Sequence, residues 1–409
     1  MAASQRAVPF LVAMMLLTGV CNTLLTKYQD NQCVRNCDDP DSSRRVYFNQ
    51  PVLQTAQMFV GEMGCWLVVG LMALYRRFVS KSSPEQRGYQ AVDGSDNTDG
   101  AADESHGTKD MSALRGCRIL LLSLPSICDI CGTTLMNIGL LMVAASIYQM
   151  TRGALVLFVG LFSVFFLRRH LRLFQWLSLV GVMLGVAVVG LAGAISPDQK
   201  PGSPEKVADE IDGSLPNNTS DAATAVIGVL LIAGAQIFTA TQFVLEEWML
   251  ESSTIEPIKV VGWEGVFGLF FTLVIMVVMH LAVGRTEAGR YGYFDMVEGF
   301  RQMTEYKAVL TSSVLIMFSI GGFNFFGLSV TRTVSATSRS TIDTCRTLFI
   351  WVVSLGLGWE SFKWLQIVGF ALLVYSTFVF NGIVQPPLKC LREEGETEDL
   401  LPEEPIEHQ

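Results

Sequence analysis

Ten stretches of roughly 20 mostly apolar residues, each the length that crosses the ~30 Å hydrocarbon core of a bilayer, constrain this chain more than any other feature. They run over residues 8–26, 52–75, 118–141, 146–167, 173–195, 222–246, 258–283, 308–331, 336–358 and 362–384. Half of the 409 residues are hydrophobic, 16% are charged and the mean hydropathy is +0.40, against roughly 25% charged in soluble domains. A backbone in hydrocarbon must satisfy its own hydrogen bonds, and no alternating ten-residue segments of a β-barrel occur. The predicted fold class is therefore an all-α polytopic membrane protein with ten transmembrane helices.

The first window admits a second reading as a cleaved signal peptide, because it follows Arg6 and holds small residues near Thr18–Gly19. Its length and its continuation into "NTLLTKYQD" favour a helix that stays. Basic residues set the orientation. With the N terminus in the cytosol, eleven lysines and arginines of the first half fall in cytosolic segments and six on the other side. Both termini are thus expected in the cytosol. The overlapping sequons "NNTS" make Asn217 and Asn218 candidate glycosylation sites in a non-cytosolic loop.

Cys33 and Cys37 lie in the first non-cytosolic loop, where oxidation is permitted, and a local disulfide is expected there; two free thiols are the alternative. The other cysteines read as small packing residues, and the pair lacks the second half of a zinc site, so no metal is assigned. Residues 79–113 are polar, acidic and rich in Gly and Ser, which predicts a disordered cytosolic loop. The expected organisation is a first five-helix repeat over 1–195, a luminal linker over 196–221, a second repeat over 222–384 and an acidic cytosolic tail over 385–409. The net charge of −9 sits largely in those flexible segments and does not point to a nucleic-acid partner. Residues 284–306 carry the spacing of an amphipathic interfacial helix.

The two halves echo each other. "SIYQMTRGALVLFV" (Ser146–Val159) and "STIDTCRTLFIWVV" (Ser340–Val353) each bury an arginine one helical turn after a polar residue, Gln149 before Arg152 and Asp343 before Arg346. "QWLSLVG" (Gln175–Gly181) matches "KWLQIVG" (Lys363–Gly369), and "VGEMG" (Val60–Gly64) matches "VGWEG" (Val261–Gly265). Five helices per half is an odd number, so the second copy enters the membrane from the opposite face. The result is an inverted repeat, in which carriers build a midplane site between halves that rock.

Arg152 and Arg346 each lie about 9 Å into their helices from opposite faces, at 1.5 Å per residue, and so approach a shared central region. An arginine at the centre of a membrane helix costs about 2.5–3.5 kcal/mol on insertion scales, so it faces a cavity or a partner. Glu62, Asp129, Glu264, Asp343 and the pair Glu246–Glu247 are the candidate partners. Two readings stand: ion pairs that hold helices together, or contacts with substrate or a gating carboxylate. Asn22, Lys27, Asn137, Gln236, Gln242 and Asn324 extend the polar surface of the apolar windows, each alone more often an interhelical hydrogen bond than a ligand contact. "GVMLG" (Gly181–Gly185) is a small-residue face that puts helices five and ten outside the cavity, as scaffold or as a homodimer contact.

Several long blocks resemble the drug/metabolite transporter superfamily, and within it subfamily F of solute carrier family 35: "TGVCNTLLTKYQD" (Thr18–Asp30), "QPVLQTAQMFVGEMGC" (Gln50–Cys65), "CDICGTTLMNIGL" (Cys128–Leu140), "AQIFTATQFVLEE" (Ala235–Glu247) and the run Phe325–Phe362. The block Ala145–Leu171 is also similar to the chloroquine resistance transporter, a more distant relative. The resemblance implies ten helices in two inverted halves around a cavity between helices one to four and six to nine. It implies solute transport without naming the solute. Nucleotide sugars are the cargo associated with family 35 as a whole, but no segment matches the "GALNK" motif of the Golgi GDP-mannose carriers.

"GYQAV", with Tyr89 and Val92, and "ETEDLL", with Glu396, Leu400 and Leu401, fit tyrosine-based and acidic dileucine sorting signals on exposed cytosolic peptides. They point to sorting adaptors as partners and to a lysosomal or vacuolar membrane, with Golgi or endosome as the alternative. No phosphate-binding GxxxxGK[ST] loop and no HExxH occurs, and the four histidines are scattered, so neither a pump driven by ATP, an enzyme nor a cofactor is expected. The leading expectation is a secondary transporter of a small polar or charged solute, with Glu62, Asp129 and Glu264 as candidate proton carriers; a Golgi nucleotide-sugar antiporter and a non-transporting scaffold or receptor are the alternatives.

Overall fold

A computed structural model describes residues 2–37, 44–81, 116–143, 148, 151–195, 218–253, 255–286, 289–290, 292–358 and 362–385. Helix α1 covers Ala2–Asp30 and leads into a short antiparallel ribbon of β1 (Cys33–Arg35) and β2 (Val46–Tyr47). Next come α2 (Pro51–Met63), α3 (Cys65–Lys81), a 3₁₀ segment over Gly116–Leu122 and α4 (Ser123–Met142). Then follow α5 (Leu155–Phe166), α6 (Leu173–Ile195) and α7 (Asn218–Ser252). Helix α8 (Pro257–Met279) ends in a π-helical turn, His280–Gly284, and the chain continues through α9 (Met296–Glu305), α10 (Lys307–Thr333), α11 (Ala336–Gly356) and α12 (Trp364–Phe380).

Among the described residues, six stretches are long and apolar enough to cross a membrane: Ala7–Asp30, Pro51–Phe78, Ile119–Leu140, Val226–Ser252, Pro257–Gly284 and Lys307–Thr333. Leu155–Phe166, Leu173–Val189 and Trp364–Phe380 are apolar but shorter. Helix α11 falls outside both groups because Arg339, Asp343 and Arg346 lie within it. The packing is that of a protein whose outside is hydrocarbon. Phe165, Phe318 and Trp364 are each more than three-quarters exposed, while Glu62, Glu246, Glu264 and Arg339 are buried. The chain is thus a polytopic membrane protein.

Helix pairing sets where the interior lies. α1 packs on α10, α4 on α7, α2 on α8, α5 on both α7 and α11, and α6 on α12. The α6–α12 crossing uses the predicted small-residue face: a Cβ on Gly185 would come within 2.9 Å of the Gly369 carbonyl, and one on Gly369 equally close to that of Gly185. That face is filled within the chain.

Several boundaries differ from the sequence expectation. The second window is two helices, α2 and α3, broken at Gly64. Helix α3 continues to Lys81, into the segment expected to be disordered, and residues 82–115 lie outside the described residues. The sixth window runs on to Ser252, so Glu246 and Glu247 sit inside α7 rather than at its end. Of the amphipathic segment over 284–306, Met296–Glu305 is the α-helix among the described residues; Asp295 caps it by accepting from the Glu298 amide at 3.3 Å. This short helix locks the ribbon against the bundle through the Arg35–Glu298 ion pair at 3.0 Å and the Tyr306 hydroxyl, which donates to the Val34 carbonyl.

Candidate functional site

Bare backbone brings the interior carboxylates together. A Cβ on Gly61 would strike the Met317 carbonyl of α10, and one on Gly321 would lie 2.6 Å from the Gly61 carbonyl. A Cβ on Gly265 of α8 would lie 2.8 Å from Glu62 Cβ. The repeated motifs Val60–Gly64 and Val261–Gly265 therefore cross each other, and only glycine permits the approach. Glu62, 5% exposed, accepts a hydrogen bond from Asn324 Nδ2 at 2.5 Å. Glu264 is as deeply buried, and its Oε1 has no hydrogen-bond partner among the described residues. Its backbone carbonyl accepts from Ser126 Oγ of α4 at 2.9 Å. Asp129 of α4 and Glu246 of α7 complete a group of four carboxylates within electrostatic reach of one another and of Arg339.

Helix α11 supplies the cations. Arg339, Asp343 and Arg346 are spaced by four and three residues, which places them on one face. Arg339 Nη1 lies 2.5 Å from Glu246 Oε2, its guanidinium sits 4.2 Å over the Phe243 ring, and Gln242 Nε2 donates to the other oxygen of Glu246 at 3.0 Å. Gly327 leaves room for this arginine, since a Cβ there would come within 2.8 Å of its Nε. Arg346 pairs with Asp343 at 3.2 Å and lies 4.8 Å over the Phe323 ring, beside Gly19 of α1. Two aromatic faces thus hold the two guanidinium groups.

The structure brings together most of the predicted residues. Glu62, Asp129, Gln242, Glu246, Glu264 and Asn324 form the acidic cluster around Arg339, while Asp343 and Arg346 form the second centre, with Arg152 in electrostatic range of Arg346. Arg152 makes no ion pair among the described residues, so the expectation that a carboxylate would pair with it is not met there. Of the candidate carboxylates only Asp343 pairs with Arg346, and Glu247 turns away from the interior to Arg169, at 2.9 Å. Asn22 is buried, with no hydrogen-bond partner for its Oδ1 among the described residues, and Lys27 is half-buried toward the end of α1. Cys33 and Cys37 are joined by a disulfide. Asn218 begins α7. Gln149, Asn217, Tyr89, Val92, Glu396, Leu400 and Leu401 lie outside the described residues.

Sequence reasoning missed Arg339 and the glutamine network of α1 and α2. Gln29 Nε2 donates to Ser313 Oγ at 2.7 Å, and its Oε1 accepts from Gln54 and Gln57 at 3.2 Å each. Two glutamines spaced by three residues in an apolar helix were the available signal. For Arg339 it was the seven-residue interval to Arg346, two turns on one face.

Comparison with known proteins places this architecture. The profile of the nucleotide-sugar transporter family matches residues 112–324. An uncharacterized protein of Schizosaccharomyces pombe is 36% identical over 374 residues, covering 91% of this chain and 97% of its own length. Solute carrier family 35 member F6 of Homo sapiens is 35% identical over 400 residues, 96% of this chain and 95% of that protein, and the Rattus norvegicus protein of the same name matches to the same degree. The two mammalian relatives are named as solute carriers. The chain therefore belongs to the nucleotide-sugar transporter family, as a membrane solute transporter of solute carrier family 35.

Proposed function

We propose that this carrier moves a small polar or charged solute across an endolysosomal or vacuolar membrane by alternating access between two inverted five-helix halves, with proton movement through the buried carboxylates. The observation that carries the reading is the interior group Glu62, Glu246, Glu264 and Arg339, all buried, with the half-buried Asp129 beside them, assembled from five different helices. Ionisable groups at such depth serve a pathway far more often than they serve folding. Helix pairing supports the inverted halves. Exchanging the first five helical windows with the last five turns the α1–α10 contact into the α4–α7 contact and leaves α2–α8, α5–α11 and α6–α12 paired as they are. The cytosolic signals around Tyr89 and Leu400–Leu401 support the location through sorting adaptors.

Uptake and efflux in proteoliposomes, screened over amino acids, short peptides, nucleosides and nucleotide sugars with and without an inward-acid gradient, tests this. Saturable flux of one class that follows the gradient is the expected result. Flux of nucleotide sugars indifferent to the gradient supports the second reading, a Golgi antiporter, which the family profile over residues 112–324 favours. Solute binding without flux leaves a scaffold or receptor on a carrier fold.

A further inference from the structure

Three helices converge at one end of the bundle, and a chain of polar contacts ties them. Helix α5 stops at Phe166, and Arg168 adopts φ 53°, a left-handed backbone that residues with a side chain seldom take. The turn returns the Arg169 amide to the Ser163 carbonyl at 3.3 Å and aims the Arg169 side chain at α7. There its Nη2 lies 2.9 Å from Glu247 Oε1 and also pairs with Glu251. Glu247 is 1% exposed; its second oxygen accepts from the Ala336 amide at 3.2 Å, at the first residue of α11. Glu246, one residue earlier, turns inward to Arg339, in the first turn of the same helix. Between the layers, Thr337 Oγ1 of α11 donates to Ser163 Oγ of α5 at 3.1 Å.

We propose that Arg169–Glu247 and Arg339–Glu246 are the outer and inner layers of one gate, which closes this end of the solute path in the conformation described here. The inference rests on the carrier reading, whose topology makes this the cytosolic end. Glu247 is held by the turn after α5 and by the first residue of α11, and Glu246 by Arg339 of α11, so a displacement of α7 away from α5 and α11 together breaks both layers. The outer layer is open to solvent on one side only: Arg169 is 40% exposed and Glu247 is buried, so water reaches the guanidinium and can replace its partner when the layer parts. The inner layer is dry, and breaking it strands two charges unless solute or water replaces each partner. Ser335 caps α11 by accepting from the Ser338 amide at 3.0 Å, and the Glu247 carboxylate adds an acceptor for the Ala336 amide at the positive end of that helix, so opening the gate leaves that one amide without its partner.

A reporter cysteine behind the outer layer tests this without any solute. Ser163 is fully buried, and Ser163→Cys, in protein whose unpaired cysteines are replaced by alanine, is labelled with a membrane-impermeant maleimide from the Arg169 side. Arg169→Gln and Glu247→Gln each remove the outer ion pair; the glutamine at 247 keeps an oxygen for the Ala336 amide. Each is expected to speed labelling about five-fold, and the double variant no more than either alone. Unchanged labelling in monodisperse protein of both variants, or a double variant whose rate multiplies the two effects, overturns the gate. Because labelling needs no cargo, absence of flux for every solute would count against the carrier reading and leave this result intact.

Discussion

Arg339 and Glu246 stand 93 residues apart in the chain and meet at 2.5 Å with side chains 2% and 1% exposed. Removing either partner leaves a charge with no counter-ion in the interior, at a cost of about 3–5 kcal/mol. Glu246→Gln and Arg339→Gln are therefore each expected to lower the apparent melting temperature in detergent sharply. The double variant should lose clearly less than the sum of the two. Melting of all four proteins measures this, and strictly additive losses would show that the two side chains act independently.

Glu62 depends on Asn324 for its short hydrogen bond, since it has no basic partner at contact distance among the described residues. A hydrogen bond contributes about 0.5–1.5 kcal/mol net. Asn324→Leu should remove that contribution and slow flux, whereas Asn324→Gln, which keeps the amide donor, should recover part of both. Equal behaviour of the two variants in melting and flux would mean that the Asn324 amide donates nothing that matters.

How far these contacts were legible in the sequence depended on their range. Hydropathy marked where the helices lie, because a lipid-facing surface needs apolar residues on long unbroken runs. The Asp343–Arg346 pair was legible as well, since three residues on a helix share a face. The partner of Glu246 was not. Arg339 sits among serines and threonines that read as a polar helix start, and only the α7–α11 contact brings it inward. The break at Gly64 was equally silent, because "VGEMGC" continues the apolar pattern across it, and the two sides differ only in where their backbone bonds close.

Glycines at the α2–α8–α10 crossing offer a test of what holds the acidic cluster in place. A Cβ on Gly61 would meet backbone of α10, which cannot swing aside as a side chain can. Gly61→Ala should cost at least the ~1–3 kcal/mol typical of overpacking and displace Glu62 from Asn324. Gly70→Ala in α3 is the matched control, with nothing within 4 Å of the added atom. Its yield and melting should stay at the level of the unsubstituted protein or rise slightly, as alanine favours helix by ~1 kcal/mol. Equal loss in both variants would detach the crossing from the stability of the fold.

Arg152 and Arg346 separate structure from transport because their surroundings differ. Arg346 is held by Asp343 and the Phe323 ring, so Arg346→Ala strands a carboxylate and should cost stability as well as flux. Arg152 is half-buried and makes no ion pair among the described residues, so Arg152→Ala should melt within a few degrees of the unsubstituted protein. Both are expected to abolish flux while the protein still reaches the same compartment by microscopy. Arg152→Lys keeps the charge but not the planar fork, and should restore flux only if the path needs a positive charge rather than a two-point contact. Normal flux in correctly sorted Arg152→Ala would take this arginine out of the path and leave Arg346 as an anchor of α11.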